Sequence, residues 1–359
     1  MAIEHAAVLD ALKVVRDPDL HRDIVSLGFV KDVAVDGGAV AFTIELTTPA
    51  CPVKDQMRDQ ARAAVLQIPG VSSVDVTMSA RVREAASVEG PRQPVPGVKN
   101  VIAVGAGKGG VGKTTLAVNL AIALSRAGSR VGIIDGDIYG PNVPIMLGLK
   151  TQLGTDGEKI LPAEKFGLQV ISMGFLTQDD APVIWRGPML HGALQQFFRE
   201  VRWNDLDYLI VDMPPGTGDV ALSLSQTVPV AGAIVVTTPQ QVSLADSRRA
   251  VAMYQKLNIS TLGVIENMSY FACGHCGQQA DIFGTGGGEA MAESLRLPFL
   301  GRIPLYPPVR EGGDRGVPLM ISEPDSPAAR AIAEAAARAA AQISIASYNR
   351  PTIPLTVVR

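Results

Sequence analysis

The sequence has little cysteine: Cys51, Cys273 and Cys276 are the three in 359 residues. An odd, small number argues against a disulfide framework and toward metal or redox work in a reducing compartment. Long apolar runs are missing too. No window approaches the roughly 18 uninterrupted apolar residues of a membrane-spanning helix, so none is expected. The N-terminus, M-A-I-E-H-A-A-V-L-D-A-L-K, lacks the basic-then-apolar order of a signal peptide, and a cytoplasmic protein is expected. Net charge is only −3, which gives nucleic acid or an anionic membrane no bulk attraction; neither is expected as a partner. What remains is an ordinary globular mix, 47% hydrophobic and 19% charged, with ample material for a core. The length exceeds one ordinary domain, so two are expected.

The first domain is expected over residues 1–85. In A-A-V-L-D-A-L-K-V-V, Val8, Leu12 and Val15 fall near one helical face. F-V-K-D-V-A-V and A-V-A-F-T-I-E-L alternate in part, with the D-G-G turn at 36–38 between them. C-P-V-K-D-Q-M-R-D-Q-A-R-A-A-V-L predicts a helix with Pro52 in its first turn, and V-S-S-V-D-V-T-M a third strand. Together these make a small α+β domain. Residues 86–98, A-S-V-E-G-P-R-Q-P-V-P-G-V, read as a proline-stiffened linker with little to bury.

From residue 99 to 345 the texture changes. V-I-A-V, V-G-I-I-D, L-Q-V-I-S-M, Y-L-I-V-D, A-I-V-V-T-T, L-G-V-I-E-N and F-L-G-R-I recur between helical stretches. Continuous apolar runs mark strands buried on both faces, hence an α/β fold with a mostly parallel sheet flanked by helices. Such sheets bind ligands at the carboxyl ends of their strands. A-A-R-A-I-A-E-A-A-A-R-A-A-A-Q predicts an alanine-rich helix; the segment after residue 343 has no clear period, and 346–359 is read as a tail.

G-K-G-G-V-G-K-T, residues 107–114, fits the phosphate-loop pattern, and an apolar strand before it and a helical run after it supply the context that pattern needs. Glycines 107, 109, 110 and 112 let the backbone N–H groups of the loop, Val111 included, face phosphate. The following helix adds its positive end, where Thr115 lies. Lys113 is expected to bridge the β- and γ-phosphates of ATP, and Thr114 to ligate Mg²⁺. Two acidic strand ends complete the P-loop NTPase site. Asp212 closes Y-L-I-V-D before P-P-G-T-G-D, placing a carboxylate near the metal. Asp135 and Asp137 close V-G-I-I-D-G-D: Asp135 sits near the metal shell or caps the loop, and Asp137 orients water or acts as general base.

The loop carries a second lysine, Lys108. K-G-G-V-G-K-T-T resembles the deviant Walker A motif of the MinD/ParA/nitrogenase-reductase class of ATPases. The resemblance implies that Lys108 reaches the nucleotide of a partner subunit in a homodimer; a cation supplied in trans stabilises transition-state charge as an arginine finger does. Lys108 read alone is a solvated loop charge. Asn267, in E-N-M, matches the adenine-contacting asparagine of that class, or ends its strand.

F-A-C-G-H-C-G carries Cys273 and Cys276. A C-x-x-C pair is a redox dithiol, two unligated thiols, or half of a four-thiolate site. Two pairs meeting on a dimer axis suit zinc or an iron–sulfur cluster. Gly274 and Gly277 suit a tight ligand loop, and His275 is a further ligand or a solvated side chain.

In order, K-G-G-V-G-K-T-T, D-G-D-I-Y-G-P-N-V-P, D-M-P-P-G-T-G-D, E-N-M-S-Y-F and C-G-H-C-G resemble the Mrp/ApbC family of iron–sulfur cluster carrier ATPases over most of residues 99–320. The resemblance implies ATP hydrolysis and a labile [4Fe–4S] cluster held between Cys273 and Cys276 of two copies; slow hydrolysis is expected because every recognised part is a positioning device and the trans lysine depends on dimer geometry. It also implies transfer of that cluster to apo iron–sulfur proteins, with cluster scaffold proteins as further partners. D-P-D-L-H-R-D-I-V-S-L-G-F-V and T-T-P-A-C-P resemble the small iron–sulfur-assembly domain found in front of bacterial members. Cys51, ahead of a helix N-terminus, is expected to favour thiolate; it hands off metal or contacts a client, or is a small buried cap. The competing reading is a MinD- or ParA-like positioning ATPase with a structural zinc at the C-x-x-C. It lacks support from a basic amphipathic tail or a basic surface.

Overall fold

The computed structural model describes residues 3–84, 92–137, 140–150, 153–175, 187–216, 218–273, 276 and 278–348. They divide into two compact units, one within Met1–Arg83 and Ala340–Arg359, the other within Glu84–Ala339.

In the first unit, α1 (His5–Leu12), β1 (Val30–Asp36), β2 (Ala39–Leu46), α2 (Lys54–Leu66) and β3 (Ser73–Ala80) follow the expected order. The sheet runs β1-β2-β3, with β1 antiparallel and β3 parallel to β2. Alternation puts Val40, Phe42, Ile44 and Leu46 on the buried face of β2, where Val8 and Leu12 of α1, Val15, and Met57, Ala61 and Val65 of α2 meet them. Helix α2 starts at Lys54 rather than at Pro52.

The second unit begins before its first strand. Val95, in the stretch read as a linker with little to bury, is 3% exposed and joins the core. Arg199 donates to the carbonyls of Gln93 and Pro94, which holds this end of the linker down. Residues 85–91 lie outside the described residues. The elements are β4 (Val98–Ala106), α3 (Lys113–Arg126), β5 (Val131–Asp135), α4 (Val143–Met146), β6 (Gly154–Thr155), β7 (Ile160–Leu161), β8 (Ala163–Lys165) and β9 (Leu168–Ser172). Then come α5 (Gly187–Arg199), β10 (Leu206–Asp212), α6 (Asp219–Thr227), β11 (Gly232–Thr237), α7 (Gln241–Lys256) and β12 (Thr261–Glu266). Last are β13 (Phe271–Ala272), β14 (Gln279–Ala280), α8 (Gly287–Ser294), β15 (Phe299–Arg302), α9 (Pro307–Arg315), α10 (Leu319–Ser322) and α11 (Pro327–Tyr348).

The main sheet runs β15-β12-β11-β4-β10-β5-β9-β8, parallel but for the antiparallel edge strand β8. Each of the seven apolar runs is one of its strands. β5, β10 and β11 are buried along their whole length because side chains of both parities are covered. Val101, Ala103, Ile134, Leu209 and Val211 face a core shared with Leu194, Phe197 and Phe198 of α5 and Val220 and Leu224 of α6. Full burial of each such leucine or phenylalanine stabilises by about 1.5–3 kcal/mol.

Helix α11 continues through Ser344–Tyr348, into the segment with no apparent period. Its last turns belong to the first unit. There the Tyr348 ring meets Phe29 edge-on at 5.8 Å between centroids, and the Arg83 guanidinium lies 4.0 Å over it. Residues 349–359 lie outside the described residues.

Candidate functional site

Three neighbouring strands deliver the nucleotide-site residues. β10 lies between β4 and β5, and the register sets Asp212 beside Val104 on one side and Asp135 on the other. β4 runs on into the glycine loop, so loop and carboxylates share one end of the sheet. The crossovers β4–α3–β5 and β10–α6–β11 run in opposite directions across the sheet there, the arrangement at which open parallel sheets bind their ligands.

The loop owes its shape to its glycines, Gly112 and Gly107 among them. Gly112 has φ +82° where it caps the N-terminus of α3, a left-handed conformation that costs glycine nothing. Gly107 faces the backbone of α7: a Cβ there would stand 2.1 Å from the carbonyl carbon of Asp246. Val111 is buried, Gly109 and Gly110 are exposed, and Thr115 is half-buried in the first turn of α3.

Lys113 is buried, and its Nζ lies 2.5 Å from Asp212 Oδ1 and 3.0 Å from Thr114 Oγ1. Thr114 Oγ1 donates to Asp212 Oδ2 at 2.7 Å. Asp212 is fully buried. Burial pushes its carboxyl up, against the opposing pull of the Lys113 ammonium and the Thr114 hydroxyl. Asp135 accepts from the N–H groups of Asp137 (3.2 Å) and Val143 (3.1 Å) and from Ser172 Oγ (3.2 Å). Burial, joined by the charge of Asp212, pushes Asp135 up to about 7. Asp212 and a hydroxyl oxygen thus meet a single buried ammonium, while Asp135, beside Asp212 in register, makes no ion pair among the described residues. A set so short of positive charge, built of oxygen donors, fits a hard divalent cation such as Mg²⁺. Asp137 is half-buried and accepts from Gly140 N at 3.3 Å. Ile138, Tyr139 and Thr217, inside the quoted motifs, lie outside the described residues.

Lys108 is half-exposed and makes no ion pair among the described residues. Asn267 is buried, and its amide donates to the carbonyl of Val111 at 2.8 Å, bracing the loop from β12.

Cys273 and Cys276 sit at the turn of a small hairpin. β13 pairs antiparallel with β14, and Cys273 N donates to Gln278 O at 3.0 Å. Cys273 is half-exposed and Cys276 exposed, neither in a disulfide. Among the described residues, no group of three or more histidine, cysteine, aspartate or glutamate side chains gathers to hold a metal ion. Gly274, His275 and Gly277 lie outside them.

Sequence reasoning passed over Glu266. This buried carboxylate closes β12 and ties the root of the hairpin to α8 through Ser269 Oγ at 2.5 Å and the N–H groups of Gly286 and Gly288 at 2.9 and 2.5 Å. The signal was an acid ending an apolar strand, the same pattern that found Asp135 and Asp212. Cys51 is not the thiolate that the sequence predicts. Burial raises its thiol above the ordinary value, and Asp19 and Asp17 add to the rise against an N–H from Val53 and the charge of Lys54. The helix begins too late to offer Cys51 its first turn, and the acids of D-P-D face it instead, so the expected thiolate is disfavoured.

Among the described residues no helix is long and apolar enough to cross a membrane. Residues 97–340 match the ParA family described as NUBPL iron-transfer P-loop NTPases, and residues 5–77 the family of iron–sulfur cluster assembly proteins. An iron–sulfur cluster carrier protein of Synechocystis is 49% identical over 347 residues, covering 95% of this chain and 98% of its own. A nucleotide-binding protein of Archaeoglobus fulgidus, solved with ADP, is 34% identical with a TM-score of 0.56 over 62% of this chain and 88% of its own. The cell division ATPase MinD of Pyrococcus furiosus is 25% identical with a TM-score of 0.51 over 67% of this chain and 97% of its own. The parallel sheet with its glycine loop and the small assembly-type unit before it therefore have one source: the chain belongs to the iron-transfer P-loop NTPases, in the branch of the iron–sulfur cluster carriers.

Proposed function

We propose that the chain binds and slowly hydrolyses ATP and carries a labile [4Fe–4S] cluster, its cargo, between Cys273 and Cys276 of two copies for delivery to apo iron–sulfur proteins. The observation that carries this reading is the cysteine hairpin: two thiols outside any disulfide, presented at a turn in the same unit as a phosphate loop. One copy supplies two thiolates, and a cubane cluster takes four. A bridged pair of copies meets that requirement, and the exposure of Cys276 in a single copy suits a cargo that must arrive and leave.

At the nucleotide, Lys113 exchanges Asp212 for the β- and γ-phosphates, and the N–H groups of residues 107–115 cradle them. Thr114, Asp212 and Asp135 would hold Mg²⁺, which when bound neutralises charge on the phosphate oxygens. Asp137 orients the attacking water or takes its proton. Lys108 serves the nucleotide of the second copy, consistent with its lack of an ion-pair partner among the described residues. Asn267 would contact the adenine edge, as the matching asparagine of the wider class does, with the amide atoms that its bond to the Val111 carbonyl leaves over.

Anaerobic iron and sulfide analysis of the reconstituted chain tests the cargo. About four irons and four sulfides per dimer are expected, lost in Cys273→Ala/Cys276→Ala. Zinc in their place, or full loading of the double variant, would sink the reading.

A further inference from the structure

One short segment touches both the phosphate loop and the cysteine hairpin. It leaves β12 at Glu266 and reaches Cys273. At its start Asn267 Nδ2 holds the carbonyl of Val111 at 2.8 Å. The approach is so close that a Cβ on Gly112 would meet that nitrogen at 2.3 Å. The N–H of Asn267 is itself fixed to Thr237 O at 2.8 Å. One residue earlier, Glu266 accepts from Ser269 Oγ and from two N–H groups at the start of α8. Beyond it, Ser269 N donates to Ile303 O at 3.0 Å and Leu305 N to Tyr270 O at 2.7 Å, and Phe271 bridges to Leu305. Cys273 follows directly, paired across the hairpin.

We propose that Asn267 and Ser269 are positioning residues that couple nucleotide occupancy of the phosphate loop to the placement of Cys273. Phosphate binding turns the loop N–H groups onto the ligand, and the carbonyl of Val111 moves with the peptide it shares with Gly112. The Asn267 amide follows that carbonyl. Glu266, locked to the N-terminus of α8, acts as a pivot, and Ser269 passes the movement to the hairpin root. The segment has little slack, because hydrogen bonds fix its backbone or side chains at Glu266, Asn267, Ser269, Tyr270 and Cys273. A contiguous chain of such contacts is one physical form that coupling between sites takes. The inference takes nucleotide binding from the proposed function and needs no cluster.

The test uses the full chain, cluster-free and reduced. Alkylation of Cys273 by iodoacetamide is timed by mass spectrometry with and without saturating Mg-ADP, and ADP affinity is measured in parallel. In the unaltered chain ADP is expected to change the alkylation rate by about 5-fold or more, the lower range of ordinary allosteric coupling. Ser269→Ala, whose lost hydroxyl bonds Glu266 and Thr285 rather than the phosphate loop, is expected to bind ADP within about 2-fold of the unaltered chain while the rate ratio falls to about 1. Asn267→Ala at saturating ADP is expected to lose the ratio as well. A ratio retained in Ser269→Ala overturns the proposal, and so does ADP binding without any change at Cys273 in the unaltered chain. Neither result touches the cargo reading, which stands or falls on the iron and sulfide analysis.

Discussion

Lys113 and Asp212 form a buried ion pair at 2.5 Å with side chains 8% and 0% exposed. Removing one partner of such a pair strands the other, which costs about 3–5 kcal/mol. Lys113→Ala is therefore expected to destabilise the second unit by that order in nucleotide-free buffer, and the double variant Lys113→Ala/Asp212→Asn to recover most of the loss. Urea denaturation of the four forms checks it; additive losses would show that the pair does not interact. A second carboxylate titrates in the other sense. Burial pushes Asp207 up, but the N–H of Arg130 and the Lys99 and Arg130 side chains outweigh it and hold the group below 3.8. The unfolded chain then binds the proton first as pH falls. The stabilisation is whole above roughly pH 4 and is lost as pH drops through the native value. Asp207→Asn is expected to flatten that acid limb of the stability profile and to cost about 1.5–3 kcal/mol at neutral pH. An unchanged profile below pH 4 would refute the assignment.

At the scale of elements, the last turns of α11 complete the first unit rather than trail from it. Tyr348 contributes an edge-on contact to Phe29 and a ring face to Arg83. Together these stabilise by about 1–2 kcal/mol. Tyr348→Ala is expected to raise amide exchange in β2 by the corresponding factor, roughly 5- to 30-fold, and to leave β10 unchanged. Equal effects on both strands would place α11 elsewhere. The sequence hid this because Ser344–Tyr348 is a single helical turn or so with no repeat of its own; its partners are Phe29 and Arg83, far away in the chain. The main strands were legible for the opposite reason. Burial on both faces forces an unbroken apolar run, and such a run declares itself locally. Val95 was missed because a single buried valine among prolines leaves no period to read.

At the scale of the molecule, the parts of the nucleotide site were readable wherever a strand or loop carries its chemistry in one stretch, as G-K-G-G-V-G-K-T does. What joins those stretches was not. The grip of Asn267 on Val111, and of Glu266 on α8, exist only once β12 is laid beside β11 and the loop folded beside them both. Lys108 poses the remaining question, because its proposed target belongs to another copy. If it acts in trans, a chain with Lys108→Ala still offers an intact loop, and a chain with Thr114→Ala still offers an intact Lys108. Each variant alone is expected to hydrolyse ATP poorly. Mixed in equal amounts they assort at random, and half of the dimers pair one of each. In such a dimer the loop with Thr114 receives Lys108 from the other copy and is complete, while the second site lacks both. The mixture should reach roughly a quarter of the unaltered activity per chain, growing with time as subunits exchange. If Lys108 acted within its own chain, every site in the mixture would carry a defect. Activity would then stay at the mean of the two variants at all times and ratios, and the trans assignment would fall.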